Sequence, residues 1–258
     1  MNFRADGRVL RVGHKGAAAV APENTIRSLE RAVELGVDLV EFDVLDLVDG
    51  TLVLAHSDDL NEVSHGAAGG AVRTRTLAEL REVAPELPTF DEALEFFARR
   101  ATGVGLHVDV KWQGYEAGVV AGLQRHGLVE RSVVSSFLAH SLRAMGLLEP
   151  GLRRGLTYPV DRRGLSSRRL LAPIAPGAAA ALRRALPFRI GRMLRRADAS
   201  AAMLHFSVVS RAAVERCHAL DAPVFAWTVD DPSVLRRLVA AGVDGVVTND
   251  PRLFASVD

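Results

Sequence analysis

Short runs of branched and aliphatic residues alternate with helical patterns along almost the whole chain, which restricts it to folds built on a parallel sheet. Strands are expected at 8–14, 39–44, 105–110, 133–136, 154–157, 201–205, 224–229 and 245–248, and helices at 23–35, 90–100, 115–126, 141–148, 210–220 and 232–241. Asp49-Gly50 is a hairpin signal that returns the chain through 52–55, so that stretch reads as a hairpin arm rather than a member of the alternation. Eight strands then remain, and with 258 residues the pattern favours a closed (β/α)8 TIM barrel over a doubly wound open sheet. The whole chain, 1–258, reads as one barrel domain. It carries a polar, Gly-rich inserted loop at 61–75, after strand two, and an Arg-rich insertion at 159–197 between late strands.

Composition removes several function classes. Formal net charge is +1, so the chain as a whole has no electrostatic footprint for nucleic acid. The single cysteine, Cys217, excludes an intramolecular disulfide framework and sits in a helical pattern as a small apolar residue. No run approaches the ~18 apolar residues of a membrane span, and the Ala-rich stretch 17–21 is cut short by Pro22. The expected compartment is the cytoplasm. Positive charge is carried almost wholly by arginine, the only lysines being Lys15 and Lys111. Both stand at expected strand ends beside His and Asp.

Active sites of α/β barrels lie at the C-terminal ends of the strands. Here those ends hold His14, Lys15, Glu41, Asp43, His56, Asp109, Lys111, Trp227 and Thr228. Glu41 and Asp43 are two residues apart and share one face of their strand. If that face is the barrel interior, the two carboxylates need a cation to offset their repulsion. The competing arrangement points them outward to arginines of neighbouring helices. Asp109 can add a third oxygen donor, and an all-carboxylate set suits a hard divalent ion, Mg²⁺ or Ca²⁺, better than zinc. His14 and His56 offer an acid/base pair, and Lys15 and Lys111 offer positive charge for a phosphoryl group. The residues thus point to metal-assisted hydrolysis of an anionic ester.

Val12-Gly13-His14-Lys15-Gly16 and Pro22-Glu23-Asn24-Thr25 resemble the opening motifs of the glycerophosphodiester phosphodiesterase family. Glu41-Phe42-Asp43, Asp49-Gly50, His56, Val108-Asp109-Val110-Lys111, Ser136-Phe137, Trp227-Thr228-Val229 and Gly242-Val243-Asp244-Gly245 follow in that family's order. The resemblance implies a phosphodiesterase that releases an alcohol and a glycerol phosphate. It implies His14 and His56 as general acid and base, and Glu41, Asp43 and Asp109 as ligands of one divalent cation. Lys15 and Lys111 would bind phosphate, with Phe137 and Trp227 at the substrate. Attack by water or by a neighbouring substrate hydroxyl stays open, as does a non-catalytic phosphate- or lipid-binding barrel. The chain departs from the family at Lys15 for Arg, Asp109 for Glu, Ser57 for Asp, Glu62 near an expected Arg, and an added Asn249.

From residue 153 to 196 there are twelve arginines against one acid, Asp161, interleaved with apolar residues. Pro187 suits a helix start, and Arg189, Arg192 and Arg196 recur beyond it at helical spacing. Such a basic amphipathic segment can lie on an anionic bilayer or act as a solvated lid on the barrel. The first arrangement would allow peripheral contact at the inner face of the membrane and a lysophospholipase D-type substrate. Few aromatic residues accompany the arginines, which argues against nucleic acid.

Overall fold

The computed structural model describes residue 3, residues 8–159 and residues 176–256. Eight parallel strands close into a barrel: β1 (Leu10–Gly13), β2 (Leu39–Asp46), β4 (Gly105–Val110), β5 (Ser132–Ser136), β6 (Arg153–Tyr158), β7 (Ala201–His205), β8 (Val224–Trp227) and β9 (Gly245–Thr248). Closure comes from β1, which pairs with β2 on one side and β9 on the other. The hairpin arm β3 (Leu52–Leu54) pairs antiparallel with β2 outside the closed ring, as its Asp-Gly turn predicts.

Helices α1 (Ile26–Glu34), α4 (Phe90–Arg99), α5 (Glu116–Arg125), α6 (Ala139–Leu148), α7 (Pro176–Ala197), α8 (Arg211–His218) and α9 (Pro232–Ala241) fill the connections between strands. Their ends follow local chemistry. Thr25 caps α1 by accepting from the Ser28 amide, and Thr89 with Glu92 forms a capping box on α4. Asp231 accepts from Ser233 and Val234, Pro232 opens α9, and Gly242 closes it at φ 86°. The expected 61–75 loop is more ordered than its polar composition suggests. It is entered through the short helix α2 (Leu60–Val63) and followed by α3 (Leu77–Val83), and Leu60, Val72 and Leu80 are buried together.

The Arg-rich segment differs from expectation at one point. Pro187 lies inside α7 rather than at its start. A proline inside a helix removes one backbone bond. Here Leu186, Ile190 and Leu194, at i, i+4 and i+8, are buried on one face, so tertiary packing outweighs that loss. Residues 160–175 of the expected insertion lie outside the described residues. Among the described residues, no helix is long and apolar enough to cross a membrane.

Beside the small cluster around Leu60, Val72 and Leu80, two apolar layers line the two faces of the barrel strands. The larger one lies between strands and helices and includes Phe42, Phe90 and Phe97, with Phe42 and Phe97 stacked at 5.8 Å. The second is formed by Leu10, Val12, Val133, Met203, Phe225 and Val247, which fill the lower barrel interior. Phe225 fits there because Gly245 faces it in register; a Cβ on Gly245 would fall 2.3 Å from the Phe225 ring.

Candidate active site

Strand alternation decides the site. On β2, Leu39 belongs to the lower interior layer, so Glu41 and Asp43 on the same face also point inward, nearer the C-terminal mouth. Parallel pairing places Glu41 beside His107 and Asp43 beside Asp109. Glu41, Asp43 and Asp109 are all buried, and one oxygen from each lies within 4.8 Å of the others. The inward arrangement therefore holds, and the outward pairing with arginines does not.

The residues around this cluster show how much negative charge it holds. The Lys111 ammonium lies 2.7 Å from Asp43 Oδ1 and 2.6 Å from Asp109 Oδ2. Ser135 Oγ donates to Asp109 Oδ1 at 2.5 Å, and His107 Nε2 donates to the same hydroxyl oxygen at 2.8 Å. Asn24 donates to Asp43 Oδ2 at 2.9 Å and accepts the Asp43 amide at 3.1 Å. Burial resists ionisation of Asp43, but Lys111, with His56, Lys15 and His14, holds its carboxyl well below the usual carboxylate range. Burial pushes Glu41 the other way, well above that range, and the Asp43 charge adds to the effect. Even with Lys111 between Asp43 and Asp109 and Lys15 nearby, the raised Glu41 leaves the set short of positive charge. A hard divalent cation on the three carboxylate groups would remedy that shortage, so the residues fit such an ion.

The turn after β1 delivers His14 and Lys15. Lys15 and Gly16 both have left-handed backbone, at φ 50° and 86°, and fold the chain back over β2. A Cβ at Gly16 would meet Ser28 Oγ at 2.4 Å, so glycine is required there. The Lys15 amide donates to Glu41 Oε2 at 2.7 Å, while its ammonium pairs with Glu23 at 2.8 Å and lies 3.9 Å from Glu62. His14 Nε2 lies 3.8 Å from Glu41 Oε2. Its Nδ1 donates to Asn249 Oδ1 at 2.7 Å, and Asn249 Nδ2 donates to Asp230 at 2.6 Å, which fixes the amide orientation. Burial, helped by Lys15, pushes the His14 imidazole down to about 4, against the opposing charge of Asp43.

His56 follows β3 and donates from Nδ1 to Glu62 Oε1 at 2.9 Å. A cavity of about 290 Å³ opens beside it, lined in part by Glu23, Asn24, Leu54, Glu62 and Glu86. In the ring of strands, β7 lies opposite β2. On that side Trp227 packs edge-on against Phe137 at 6.1 Å between ring centres and against His205 at 5.2 Å. The structure therefore gathers His14, Lys15, Glu41, Asp43, His56, Asp109 and Lys111 in one half of the mouth, with Phe137 and Trp227 in the other. Sequence reading had not assigned Asn24, Glu62, His107, Ser135, His205 or Asn249 to the site. His107 could have been found from its position two residues before Asp109 on the same strand face. Asn24 lay inside a recognised motif, and Glu62 and Asn249 were visible only as departures from one.

Comparison with known proteins agrees with this geometry. The chain matches the glycerophosphoryl diester phosphodiesterase family over residues 14–253. It is 29% identical to a glycerophosphodiester phosphodiesterase of Caldanaerobacter subterraneus subsp. tengcongensis, with 97% of this chain and 98% of the relative aligned. Its identity to a Bacillus subtilis glycerophosphodiester phosphodiesterase is 26%, over 99% of this chain and 88% of that one. Among solved structures, an Oleispira antarctica phosphodiesterase in complex with its product sn-glycerol-3-phosphate is 26% identical, covers 97% of each chain and superposes with a TM-score of 0.76. A Silicibacter pomeroyi putative glycerophosphoryl diester phosphodiesterase, 24% identical, shares the fold with a TM-score of 0.79 over 99% of this chain and 96% of that one. The match over residues 14–253 makes the chain a member of the glycerophosphoryl diester phosphodiesterases, a family of phosphoric diester hydrolases.

Proposed function

We propose that this protein hydrolyses glycerophosphodiesters to an alcohol and glycerol phosphate, using Glu41, Asp43 and Asp109 to hold one divalent cation, Mg²⁺ or Ca²⁺. The observation that carries the reading is the buried three-carboxylate cluster with His14 and His56 beside it. The product-bound Oleispira antarctica relative supports glycerol phosphate as the product side. Held by Glu41, Asp43 and Asp109, such a cation would supply Lewis-acid polarisation of a phosphoryl oxygen and offset the charge that builds on it.

The chain's own groups supply the rest. His14 and His56 each commit Nδ1 to a protein oxygen, which leaves Nε2 for the reaction. One takes the proton of the attacking hydroxyl, from water or from the substrate, as the oxygen bonds to phosphorus. The other returns a proton to the leaving alkoxide. Lys15 and Lys111 bring fixed positive charge to the phosphate, and the Trp227–Phe137 pair forms an apolar wall for the organic part of the substrate. Hydrolysis of a panel from glycerophosphocholine to lysophospholipids, with Mg²⁺, Ca²⁺ or chelator, tests the reading. Turnover that needs the cation is expected; equal turnover in chelator, or none in any condition by folded protein, refutes it.

One observation favours a lipid substrate as a second reading. On α7, Arg183, Arg184, Arg189 and Arg192 are exposed, and Phe188 among them is 90% exposed. A basic face with a protruding aromatic ring suits the surface of an anionic bilayer, and so a lysophospholipase D-type activity. Sedimentation with vesicles containing anionic lipid, comparing wild type with Phe188→Ser/Arg189→Ser, separates the readings. Equal binding by both proteins removes this one.

A further inference from the structure

The hydrogen bonds around His56 carry an assignment that the family motifs do not. Ser57 stands where the resemblance puts an aspartate, and Glu62 stands near an expected arginine. In the fold these two departures meet. The Glu62 carboxylate accepts from His56 Nδ1 through Oε1 at 2.9 Å and from Ser57 Oγ through Oε2 at 2.6 Å. The serine hydroxyl thus holds one oxygen while the other faces the ring. Glu62 reaches this position because Asp59 caps α2, its side chain accepting from the Asn61 amide, which starts a turn that carries Glu62 back over His56.

We propose that Glu62, held by Ser57, is the positioning residue for His56, fixing the ring as the Nδ1–H tautomer with Nε2 directed to the substrate phosphate. A carboxylate on one ring nitrogen sets the tautomer and orientation of the other, as partners behind metal-ligating and catalytic histidines do elsewhere. The negative charge itself is well supported. Burial disfavours it, but the bonds from His56 and Ser57 together with the nearby Lys15 bring the Glu62 carboxyl down to about 2. The two departures therefore work together in this chain: position 62 supplies the carboxylate that meets the ring, and position 57 supplies the hydroxyl that anchors it. Lys15 Nζ lies 3.9 Å from Glu62 Oε1, so a role resting on charge alone is the alternative that the variants must separate. Glu62 would then matter as a counter-charge, not as a support for the ring.

This assignment rests on the proposed hydrolysis, so its test includes a readout that needs no turnover. The variants are Glu62→Ala, Glu62→Gln and Ser57→Ala in the full chain. Glutamine still offers an oxygen to Nδ1 but carries no charge. Positioning predicts that Glu62→Ala lowers kcat about 10–100-fold with KM within about twofold. Glu62→Gln recovers most of that loss, and Ser57→Ala loses less than Glu62→Ala. Two-dimensional ¹H–¹⁵N spectra of the His56 ring should show the Nδ1–H tautomer in wild type and Glu62→Gln, and a tautomer mixture in Glu62→Ala. Glu62→Gln as impaired as Glu62→Ala, an unchanged kcat in both, or an unchanged ring spectrum in Glu62→Ala would each overturn the assignment. If wild type turns over no glycerophosphodiester while the ring spectra behave as stated, the hydrolytic reading fails and the positioning of His56 stands.

Discussion

The two ends of the barrel interior are built from the same strands and differ in nearly every physical respect. At the lower end Val12, Met203, Phe225 and Val247 interlock, and Gly245 is small because the Phe225 ring occupies its space. Two and four residues beyond Leu39 on β2 and Gly105 on β4, the inward positions hold Glu41 and His107, then Asp43 and Asp109. The lower end gains stability from apolar burial, at about 25 cal/mol per Å². The mouth gathers like charges in the interior and leaves Glu41 resisting ionisation, an arrangement that suits a bound cation better than a stable apo fold. Apolar packing is concentrated at one end and ionisable groups at the other.

Substitutions at the two ends should therefore separate activity from stability. The largest effect is expected at the mouth: His14→Ala should lower hydrolysis by about 10²–10⁴-fold with the thermal midpoint almost unchanged, read by steady-state rates beside calorimetry. At the lower end Phe225→Ala should do the reverse. It should destabilise by about 3–5 kcal/mol in denaturant unfolding, with kcat retained wherever the protein stays folded. A Phe225→Ala enzyme that is stable but inactive would erase the division between the ends. Gly245→Ala probes the same contact from the other side. Forcing a methyl against the Phe225 ring should cost about 1–3 kcal/mol, and Phe225→Leu should relieve part of it.

A subtler test uses the mouth's own strain. Glu41→Gln removes one of the buried carboxylates, so the metal-free protein should melt higher, by about 2–4 °C for each kcal/mol of repulsion relieved. Wild type should melt higher on addition of Mg²⁺ or Ca²⁺, and the same change should abolish that rise. A lower midpoint in chelator would show that Glu41 is not strained. The smallest effect belongs to the lower rim, where Asp38 accepts from Arg8 at 2.6 and 2.7 Å and from the Arg11 amide at 2.8 Å. Burial opposes ionisation of Asp38, but these bonds hold its carboxyl below the usual range. A lowered folded value means the contribution is complete above the unfolded value of about 3.9 and disappears as pH falls through the folded one. Asp38→Asn should accordingly cost up to about 1 kcal/mol at pH 7, and the cost should shrink steadily as urea unfolding is repeated at lower pH, below the unfolded value.

The parts of this protein legible in its sequence are those set by neighbouring residues. Helix α9 has the bounds that Asp231, Pro232 and Gly242 announce, because capping and backbone conformation act within a turn. Period-two alternation put Glu41 and Asp43 on one face, and strands at 105–110, 201–205 and 245–248 could be marked out from short apolar runs and their place in the alternation. Helix α7 shows the limit of such signals. Pro187 reads as a start, yet burial of Leu186, Ile190 and Leu194 carries the helix through it.

What tertiary structure decided is which groups meet. Alternation could not say whether the β2 carboxylates face water or the barrel; closure of the ring through β1 and β9 did. Register set Asp109 beside Asp43, and that placement brought Lys111 between them. The partners of the histidines were equally out of local reach. Asn249 lies 235 positions from the His14 it orients, and Glu62 meets His56 only after α2 has turned the chain back. Local signals specify elements because their energies act between neighbours along the chain. A site is made by contacts between residues that only closure of the barrel brings within hydrogen-bonding distance.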